Sequence, residues 1–338
     1  MKVLFLSHTF IGGNYFVGSH SLHNEALLTG HDSLHVSTPI SFFHIFKYLL
    51  KKNDKMDFIK RIHKSKAGII DNAYIPRVLF PIQIKSSKYF LGKKLRNVLN
   101  SSYDKIFIDQ IAFLNIIPNA NAKNLTIRIT DKLSNIEIKI MKRILSPSTK
   151  ITVTNSNISD DLLPYFSNIK VMPNPMISDF PNALSTTDTL RSGAVYLGAL
   201  GERIDWEYLK NLAKESEFEI IHLFGSGLIP LDIPENIVYL GIIDHDDILN
   251  VLARYKFGLF PYAQSKENEC RSPIKTMDYL ASGLIIIRPQ AIAGYEMFYG
   301  IAAHDPLHKE LKCSYETSDK RHLKGVTWKS IWDQLRID

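Results

Sequence analysis

The sequence predicts an α/β protein built from two Rossmann-like domains with a central cleft. Short apolar runs that suit buried parallel strands alternate with helical stretches, a pattern typical of βαβ units. Three prolines and an asparagine interrupt this alternation at residues 173–181, after which it restarts. A length of 338 residues also fits two domains of roughly 100–200 residues each. We therefore expect one domain over residues 1–177 and a second over residues 178–338.

The individual elements follow from apolar runs bounded by polar residues, glycine or proline. In the first domain we expect a helix over residues 18–28 and strands over residues 1–7, 34–38, 105–109, 125–130, 151–155 and 169–172. In the second domain we expect strands over residues 194–197, 219–224, 237–240, 257–261 and 284–288, with helices over residues 206–215, 245–254, 274–282 and 327–335. The last helix is amphipathic and can cross back to the first domain. A ligand of such a fold binds outside the carboxyl ends of the strands.

The formal net charge of +7 is distributed unevenly along the chain. Residues 1–177 hold 24 Lys and Arg against 11 Asp and Glu, a balance of +13, whereas residues 178–338 hold 17 against 23, a balance of −6. Such asymmetry indicates that the first half faces a polyanion or an anionic membrane. The basic half has none of the sequence patterns of common nucleic-acid-binding modules, so a nucleic-acid partner is not expected.

Cysteine usage and hydropathy indicate a cytoplasmic protein. Cys270 and Cys313 are too few for a disulfide framework and have no CxxC spacing for zinc. No apolar run reaches the roughly 18–20 residues that cross a bilayer. The polar Ser7 and His8 interrupt the N-terminal apolar run too early for a signal peptide.

The most informative stretch is RSPIKTMDYLASGLIIIR, at residues 271–288. It predicts a helix that starts after a proline, stops at a glycine and leads into a buried strand. Lys275 falls in the first turn, where a cation opposes the helix dipole unless an anion such as a diphosphate is bound. Asp278 follows on the same helix face and could accept hydrogen bonds from ribose hydroxyls. The alternative is an ordinary surface helix with a Lys–Asp pair.

The order P-x-K-x-x-[DE]-x-L-A-x-G followed by an apolar strand resembles the nucleotide-sugar site of GT-B glycosyltransferases. Other stretches, spread over nearly the whole chain, resemble the same class: YLG at 196–198, FGSG at 224–227, VYLGII at 238–243, FPY at 260–262, TNSNISDD at 154–161, VMPNP at 171–175 and the glycine pair after the first strand. The large retaining family of this class carries two Glu separated by seven residues. Here those positions hold Cys270 and Asp278, so the chain is more similar to the inverting glucuronosyltransferase family of xanthan assembly.

This resemblance implies roles for particular residues. Asp131, in the RITD stretch at residues 128–131, corresponds to the general base of the inverting family, and Lys275 to its phosphate-binding lysine. The nucleotide-sugar site would comprise Tyr262, Ser272, Ile274, Lys275, Asp278, Gly225, Ile243 and Arg203, with Gly12 and Gly13 in a loop on the acceptor side. A different role for Asp131 is to cap a helix expected over residues 133–140. His8 or His20, near the glycine pair, could contact the acceptor or the sugar.

The implied function is transfer of a sugar, glucuronic acid if the xanthan family is followed, from a UDP-sugar to a lipid-linked or polysaccharide acceptor. The reaction would invert the anomeric centre and need no metal or other cofactor, because Lys275, with Arg203 or Arg271, would neutralise the leaving diphosphate. Histidine pairs such as His31 and His35 are poor metal candidates because no third ligand is near in sequence. A GT-B-shaped nucleotide-sugar epimerase and a retaining glycosyltransferase remain as alternatives.

Two segments of the first half mix aromatic and aliphatic residues with lysines, at residues 42–66 and 89–100. This composition is typical of helices that lie in the headgroup region of an anionic membrane. It predicts a peripheral, monotopic protein at the cytoplasmic face of the inner membrane. The alternative is a pair of amphipathic helices packed on the first sheet with their lysines in water.

Overall fold

The computed structural model describes residues 1–11, 17–42, 46, 73–82, 89–117, 124–175, 191–215, 218–243, 247–271, 274–289, 306–307 and 327–337. The contacts divide the chain into two compact units. Unit 1 comprises Met1–Met172 together with Ile331–Asp338, and unit 2 comprises Pro173–Ser330. The division falls at the start of the proline-containing segment, and the last residues group with unit 1, whereas the sequence assigns them to the second domain.

Unit 1 is built on a parallel seven-stranded sheet in the order β4-β2-β1-β6-β7-β8-β9, with β3 and β5 forming a separate parallel pair. Its strands are β1 Lys2–Ser7, β2 Asp32–Ser37, β3 Ile40–Ser41, β4 Ala73–Tyr74, β5 Arg77–Val78, β6 Lys105–Asp109, β7 Leu125–Ile129, β8 Lys150–Val153 and β9 Ile169–Val171. Its helices are α1 Gly18–Leu28, α2 Lys93–Asn100, α3 Asn135–Ile144 and α4 Ser156–Leu162. Every residue of β7 is buried, as expected for a parallel strand covered on both faces.

Unit 2 has a five-stranded parallel sheet in the order β12-β11-β10-β13-β14. Its strands are β10 Ala194–Leu197, β11 Ile221–Phe224, β12 Ile237–Gly241, β13 Phe257–Leu259 and β14 Ile285–Ile287. Its helices are α5 Trp206–Leu212, α6 Ile248–Leu252, α7 Lys266–Glu269 and α8 Ile274–Ala281. The core lies on this sheet and includes Tyr196, Phe257, Phe260 and Tyr279.

The C-terminal helix α9, Trp328–Ile337, buries Trp328, Ile331, Trp332 and Leu335, which share one face at helical spacing. The Trp332 ring packs 6.2 Å from that of Phe5 and 6.0 Å from that of Phe107, in β1 and β6. Its indole N–H donates to the Thr29 hydroxyl at 2.9 Å. The amphipathic pattern at the end of the sequence therefore contributes to the core of unit 1.

The α/β class and the two parallel sheets confirm the predicted fold class. One helix starts later than expected: α3 begins at Asn135, because Ser134 forms a capping box with Glu137. The described part of the chain contains no helix long and apolar enough to cross a membrane. Of the residues 42–66, all but Phe42 and Phe46 lie outside the described ranges.

Candidate functional site

Lys275 is the centre of a candidate anion site in unit 2. It lies in the first turn of α8, and its amino group faces three aromatic rings. The Nζ atom is 3.8 Å from the ring centroid of Tyr196, 4.8 Å from that of Tyr262 and 5.6 Å from that of Phe260. The nitrogen is closed off from solvent and makes no well-formed hydrogen bond to any described residue. A buried ammonium that lacks a well-formed acceptor is costly, so this nitrogen has the capacity to bind an anionic ligand.

The loops that follow β10 and β11 lie close together beside this lysine. The Gly198 N–H donates to the Phe224 carbonyl at 2.9 Å, and a Cβ atom at Gly225 would collide with the Gly198 carbonyl oxygen. A Cβ atom at Gly198 would lie only 2.8 Å from the Lys275 Nζ. Both glycines have positive φ angles, so side chains are disfavoured there by conformation as well as by space. These glycines let the backbone at the carboxyl edge of the sheet approach the cation closely.

The electrostatics of this cluster are those of a cationic site. Burial lowers the pKa of Lys275, the Tyr262 hydroxyl opposes that shift, and the charges of Arg271 and Arg203 lower the Lys275 pKa further. Burial alone would raise the pKa of Tyr262, but the interactions with Lys275, Arg271 and Tyr196 together outweigh burial, and the net pKa is lowered. An anion bound here would relieve the repulsion among the three cations.

Asp278 is one turn beyond Lys275 on α8 and is buried. Burial raises the pKa of its carboxyl group from 3.8 to about 7. Its Oδ1 atom has no hydrogen-bond partner among the described residues. The group therefore retains the capacity to hydrogen-bond a ligand hydroxyl, which is the role that the sequence predicts for it.

Asp278→Asn is expected to change how the free energy of unfolding depends on pH. Between about pH 4 and pH 7 the folded protein holds a proton on Asp278 that the unfolded chain has lost, so stability falls as pH rises through that range. The full shift corresponds to on the order of 4 kcal/mol. The variant lacks this ionisation, so the difference in stability between the variant and the wild type should move in favour of the variant as pH rises.

Urea unfolding at about pH 5 and about pH 8 measures this difference. His20 and His35 also have lowered pKa values, because they are buried, but they titrate equally in both proteins and cancel in the comparison. An unchanged difference across this range would mean that the pKa of Asp278 is the same in the folded and unfolded states.

Of the other residues predicted for the donor site, one is exposed, one packs against the core and the side chains of the rest are not described by the structure. Arg203 is exposed, and its charge acts on Lys275. Ile243 packs against the core of unit 2 two residues after β12. Ser272, Gly12 and Gly13 lie outside the described residues, as does the side chain of Ile274, the first residue of α8.

In unit 1, Asp131 is exposed on the loop after β7. It does not cap α3, since Ser134 does so. With its amide oxygen directed at this loop, Gln110 accepts hydrogen bonds from the backbone N–H groups of Thr130 and Asp131 at 3.2 and 3.0 Å. Gln110 itself has a left-handed φ of 63°, a conformation that costs energy and is often found at functional sites. The Asp131 backbone is thus held in place from the neighbouring strand.

The structure also reveals an Asp–His pair that sequence reasoning missed. Asp109, the buried last residue of β6, has its Oδ2 atom 3.7 Å from the His8 Nδ1 and 3.4 Å from the Ser7 hydroxyl, which donates to it. Arg128 lies on the other side, with its Nη1 atom 3.9 Å from the Asp109 Oδ1. His8 is 38% exposed, so its ring meets the buried carboxylate and also solvent. The available signal was that Ser7 and Asp109 end adjacent parallel strands.

Three other histidines of this unit, His20, His23 and His35, are buried core residues. The His20 and His35 ring centroids lie 5.0 Å apart, and those of His23 and His35 lie 5.5 Å apart. Burial lowers the pKa of His20 to about 4, and the Thr9 interaction only partly opposes this shift, so the ring is neutral at pH 7. Within the described ranges no group of three or more His, Cys, Asp or Glu residues is arranged to hold a metal ion.

Comparisons with known proteins rest on structure alone. No protein-family model matches the chain, and no curated protein matches its sequence. The lipopolysaccharide outer core galactosyltransferase WaaB is similar in structure, with a TM-score of 0.60 at 15% identity over 100% of this chain and 99% of that one. HepE from Anabaena, solved with UDP and glucose, has a TM-score of 0.57 at 14% identity over 99% and 95% of the two chains.

A UDP-forming α,α-trehalose-phosphate synthase from Burkholderia xenovorans has a TM-score of 0.58 at 9% identity, over 100% of this chain and 99% of that one. These neighbours are GT-B proteins and cover the whole chain, and identities this low establish the fold alone. Together with the two parallel sheets, they show that this protein has the GT-B fold.

Proposed function

We propose that this protein is a glycosyltransferase that moves a sugar from a UDP-linked donor to a lipid-linked or polysaccharide acceptor. One observation carries the proposal: the Lys275 Nζ atom, in the first turn of a helix, is closed off beneath three aromatic rings and makes no well-formed hydrogen bond to a described residue. A diphosphate is the ligand that fits best, because it has the negative charge and the oxygen acceptors that the site lacks. The similarity in fold to HepE, solved with UDP and glucose, supports a uridine nucleotide.

The donor would be held by unit 2 residues with separate tasks. Lys275 would bind the diphosphate, and Arg203 and Arg271 would add positive charge as the leaving group becomes more negative. Asp278 would accept hydrogen bonds from the ribose hydroxyls. No metal ion is needed in this proposal, because these side chains and the α8 N-terminus supply the neutralising charge.

Unit 1 would supply the acceptor site and the general base. In an inverting transfer the acceptor oxygen forms a bond to the anomeric carbon, the bond from that carbon to the diphosphate oxygen breaks, and its electron pair leaves with UDP. The proton of the acceptor hydroxyl goes to the base, which we propose is Asp131. The fixed backbone at Asp131 and its exposed side chain support this choice. Following the xanthan family, the donor would be UDP-glucuronic acid.

His8 is a second candidate for the base. Its Nδ1 faces the Asp109 carboxylate, which would orient the ring, and this leaves Nε2 for an acceptor hydroxyl. In the sheet, β1 and β7 flank β6, so the two candidate bases lie near one edge, roughly 10 Å apart if two strand spacings separate them. An acceptor bound at that edge could reach either group.

Ligand-induced stabilisation tests the donor class. We expect UDP and UDP-sugars to raise the melting temperature of the protein, and GDP and dTDP to raise it less, because a ligand of the native state shifts unfolding by mass action. Product analysis with the stabilising UDP-sugar then separates the alternatives. Inverted transfer to an acceptor supports the proposal, retention of configuration supports a retaining enzyme, and a changed nucleotide sugar without an acceptor supports an epimerase. Stabilisation by none of these nucleotides would contradict the donor assignment.

A further inference from the structure

Unit 1 carries an exposed group of large apolar side chains beside the strand pair β3–β5. Ser41 in β3 pairs with Val78 in β5, so the residues that follow them, Phe42 and Leu79, lie at the same end of the strand pair. Both side chains are exposed. Phe80 follows, and its ring packs edge-to-face on Phe90, 5.3 Å between centroids. Tyr89 is 70% exposed. Exposed aromatic groups of this kind mark sites of interaction.

Positive charge surrounds these side chains. Residues 73–103 contain six Lys and Arg residues and no Asp or Glu. Arg77 next to Leu79, and Lys93 and Lys94 at the start of α2, are exposed. Helix α2 buries Leu95 and Leu99 and turns its cationic residues to solvent. We call Leu79, Phe80, Tyr89 and Phe90, with Arg77, Lys93 and Lys94, the aromatic–basic surface.

Unit 2 has exposed apolar side chains within an acidic stretch of sequence, and these serve as an internal comparison. Leu228, Leu231 and Ile242 are 87%, 104% and 63% exposed. Residues 228–253 around them contain five Asp and Glu and no Lys or Arg. Exposed apolar side chains are therefore common to both units, whereas their combination with a stretch of sequence that carries only positive charge is found at the aromatic–basic surface.

We propose that the aromatic–basic surface binds an anionic lipid bilayer and holds the protein at the membrane as a peripheral protein. Phe, Leu and Tyr side chains enter the boundary between headgroups and acyl chains, while the cations pair with anionic headgroups. The charge excludes a second copy of the same surface as the occupant, since two such surfaces repel. Because the cytoplasmic leaflet is rich in anionic lipids, the proposed site of binding is the cytoplasmic face of the inner membrane. A lipid-linked acceptor would be presented at the same boundary.

Vesicle flotation tests the inference without any turnover. The full chain is mixed with vesicles of phosphatidylcholine containing about one third phosphatidylglycerol, and with vesicles of phosphatidylcholine alone. We expect flotation with the anionic vesicles that weakens as salt is raised. The double charge reversal K93E/K94E should lower the partition coefficient at least about tenfold, and F80S/F90S should lower it without changing the salt dependence.

Two matched controls keep the result specific. K139E/K142E reverses two exposed lysines on α3 of the same unit, and L228S/L231S removes two exposed leucines from the acidic surface of unit 2. Both should float like the wild type, and circular dichroism verifies folding of every variant. Failure to float, equal flotation with neutral vesicles, or equal loss in the controls would each overturn the inference. Tight binding of single-stranded RNA that K93E/K94E abolishes, without flotation, would assign the surface to a nucleic acid instead. The UDP titration is independent of all these outcomes.

Discussion

Replacing Lys275 with methionine is expected to weaken UDP binding by about 10- to 100-fold, because a charge-assisted hydrogen bond to phosphate contributes about 1.5–3 kcal/mol. Methionine keeps the length and apolar stem of the side chain and removes only the ammonium. The three aromatic rings around Nζ would still enclose it. The loss can therefore be attributed to charge and hydrogen bonding.

The same substitution should leave the ligand-free protein at least as stable as the wild type. Burying an ammonium without an acceptor costs free energy, which the contacts with the rings of Tyr196, Tyr262 and Phe260 offset only in part. Repulsion from Arg203 and Arg271, which contributes to the lowered pKa of Lys275, also disappears. Lys275→Met should therefore weaken UDP binding without lowering the stability of the free protein. Replacing a lysine with a purely structural role would instead lower that stability.

Calorimetric titration with UDP and with uridine, together with thermal unfolding without ligand, measures both effects. Uridine has no phosphate, so its affinity should be unaffected by Lys275→Met. Lys210→Met is a suitable control, because Lys210 pairs with Glu207 and Asp232 on the surface of unit 2. Unchanged UDP affinity in the Lys275 variant would remove this residue from the donor site.

Asp131→Asn is expected to lower the rate of sugar transfer by about 10²- to 10⁴-fold, the usual contribution of a positioned general base. Asparagine is nearly the same size and keeps the loop geometry, since Gln110 binds the backbone of this loop. UDP affinity should not change, because Asp131 belongs to unit 1 and the proposed donor site to unit 2. Single-turnover kinetics with saturating donor reports the chemical step directly.

His8→Gln and Asp109→Asn, measured in parallel, decide between the two candidate bases. If Asp131 is the base, these variants retain transfer rates within about tenfold of the wild type, since they remove no group that accepts the proton. If His8 is the base, His8→Gln shows the large loss, Asp109→Asn shows a smaller one through ring orientation, and Asp131→Asn is near normal. Near-normal rates in all three variants would exclude an inverting mechanism based on any of these groups.

The local part of the candidate site in unit 2 was predictable from the sequence. Lys275, Asp278 and the helix that carries them follow from a proline, a glycine and helical spacing within eighteen residues. The three rings around Lys275 could not be predicted in the same way, because Tyr196, for example, lies in strand β10, nearly eighty residues away in the chain. Sheet order brings them together, and sheet order depends on long-range strand pairing.

The candidate residues of unit 1 show the same distinction. Asp131 was singled out by the resemblance of the RITD stretch to the inverting family, but the capping alternative could be rejected only when Ser134 and Glu137 were seen to cap α3. The His8–Asp109 pair joins residues about one hundred positions apart and has no local signature. The left-handed backbone of Gln110 is likewise imposed by its surroundings, since glutamine does not favour that conformation.

The sequence by itself determined the α/β alternation, the proline-containing division of the chain, the charge asymmetry and the residues of α8, because each depends on neighbours within one or two turns or strands. Only the tertiary structure decided that the Lys275 Nζ is buried without a well-formed hydrogen bond to a described residue, that Asp278 is desolvated, and that Asp109 faces His8. Burial and pairing are properties of the surroundings of a side chain, and parallel strands assemble those surroundings from distant parts of the chain.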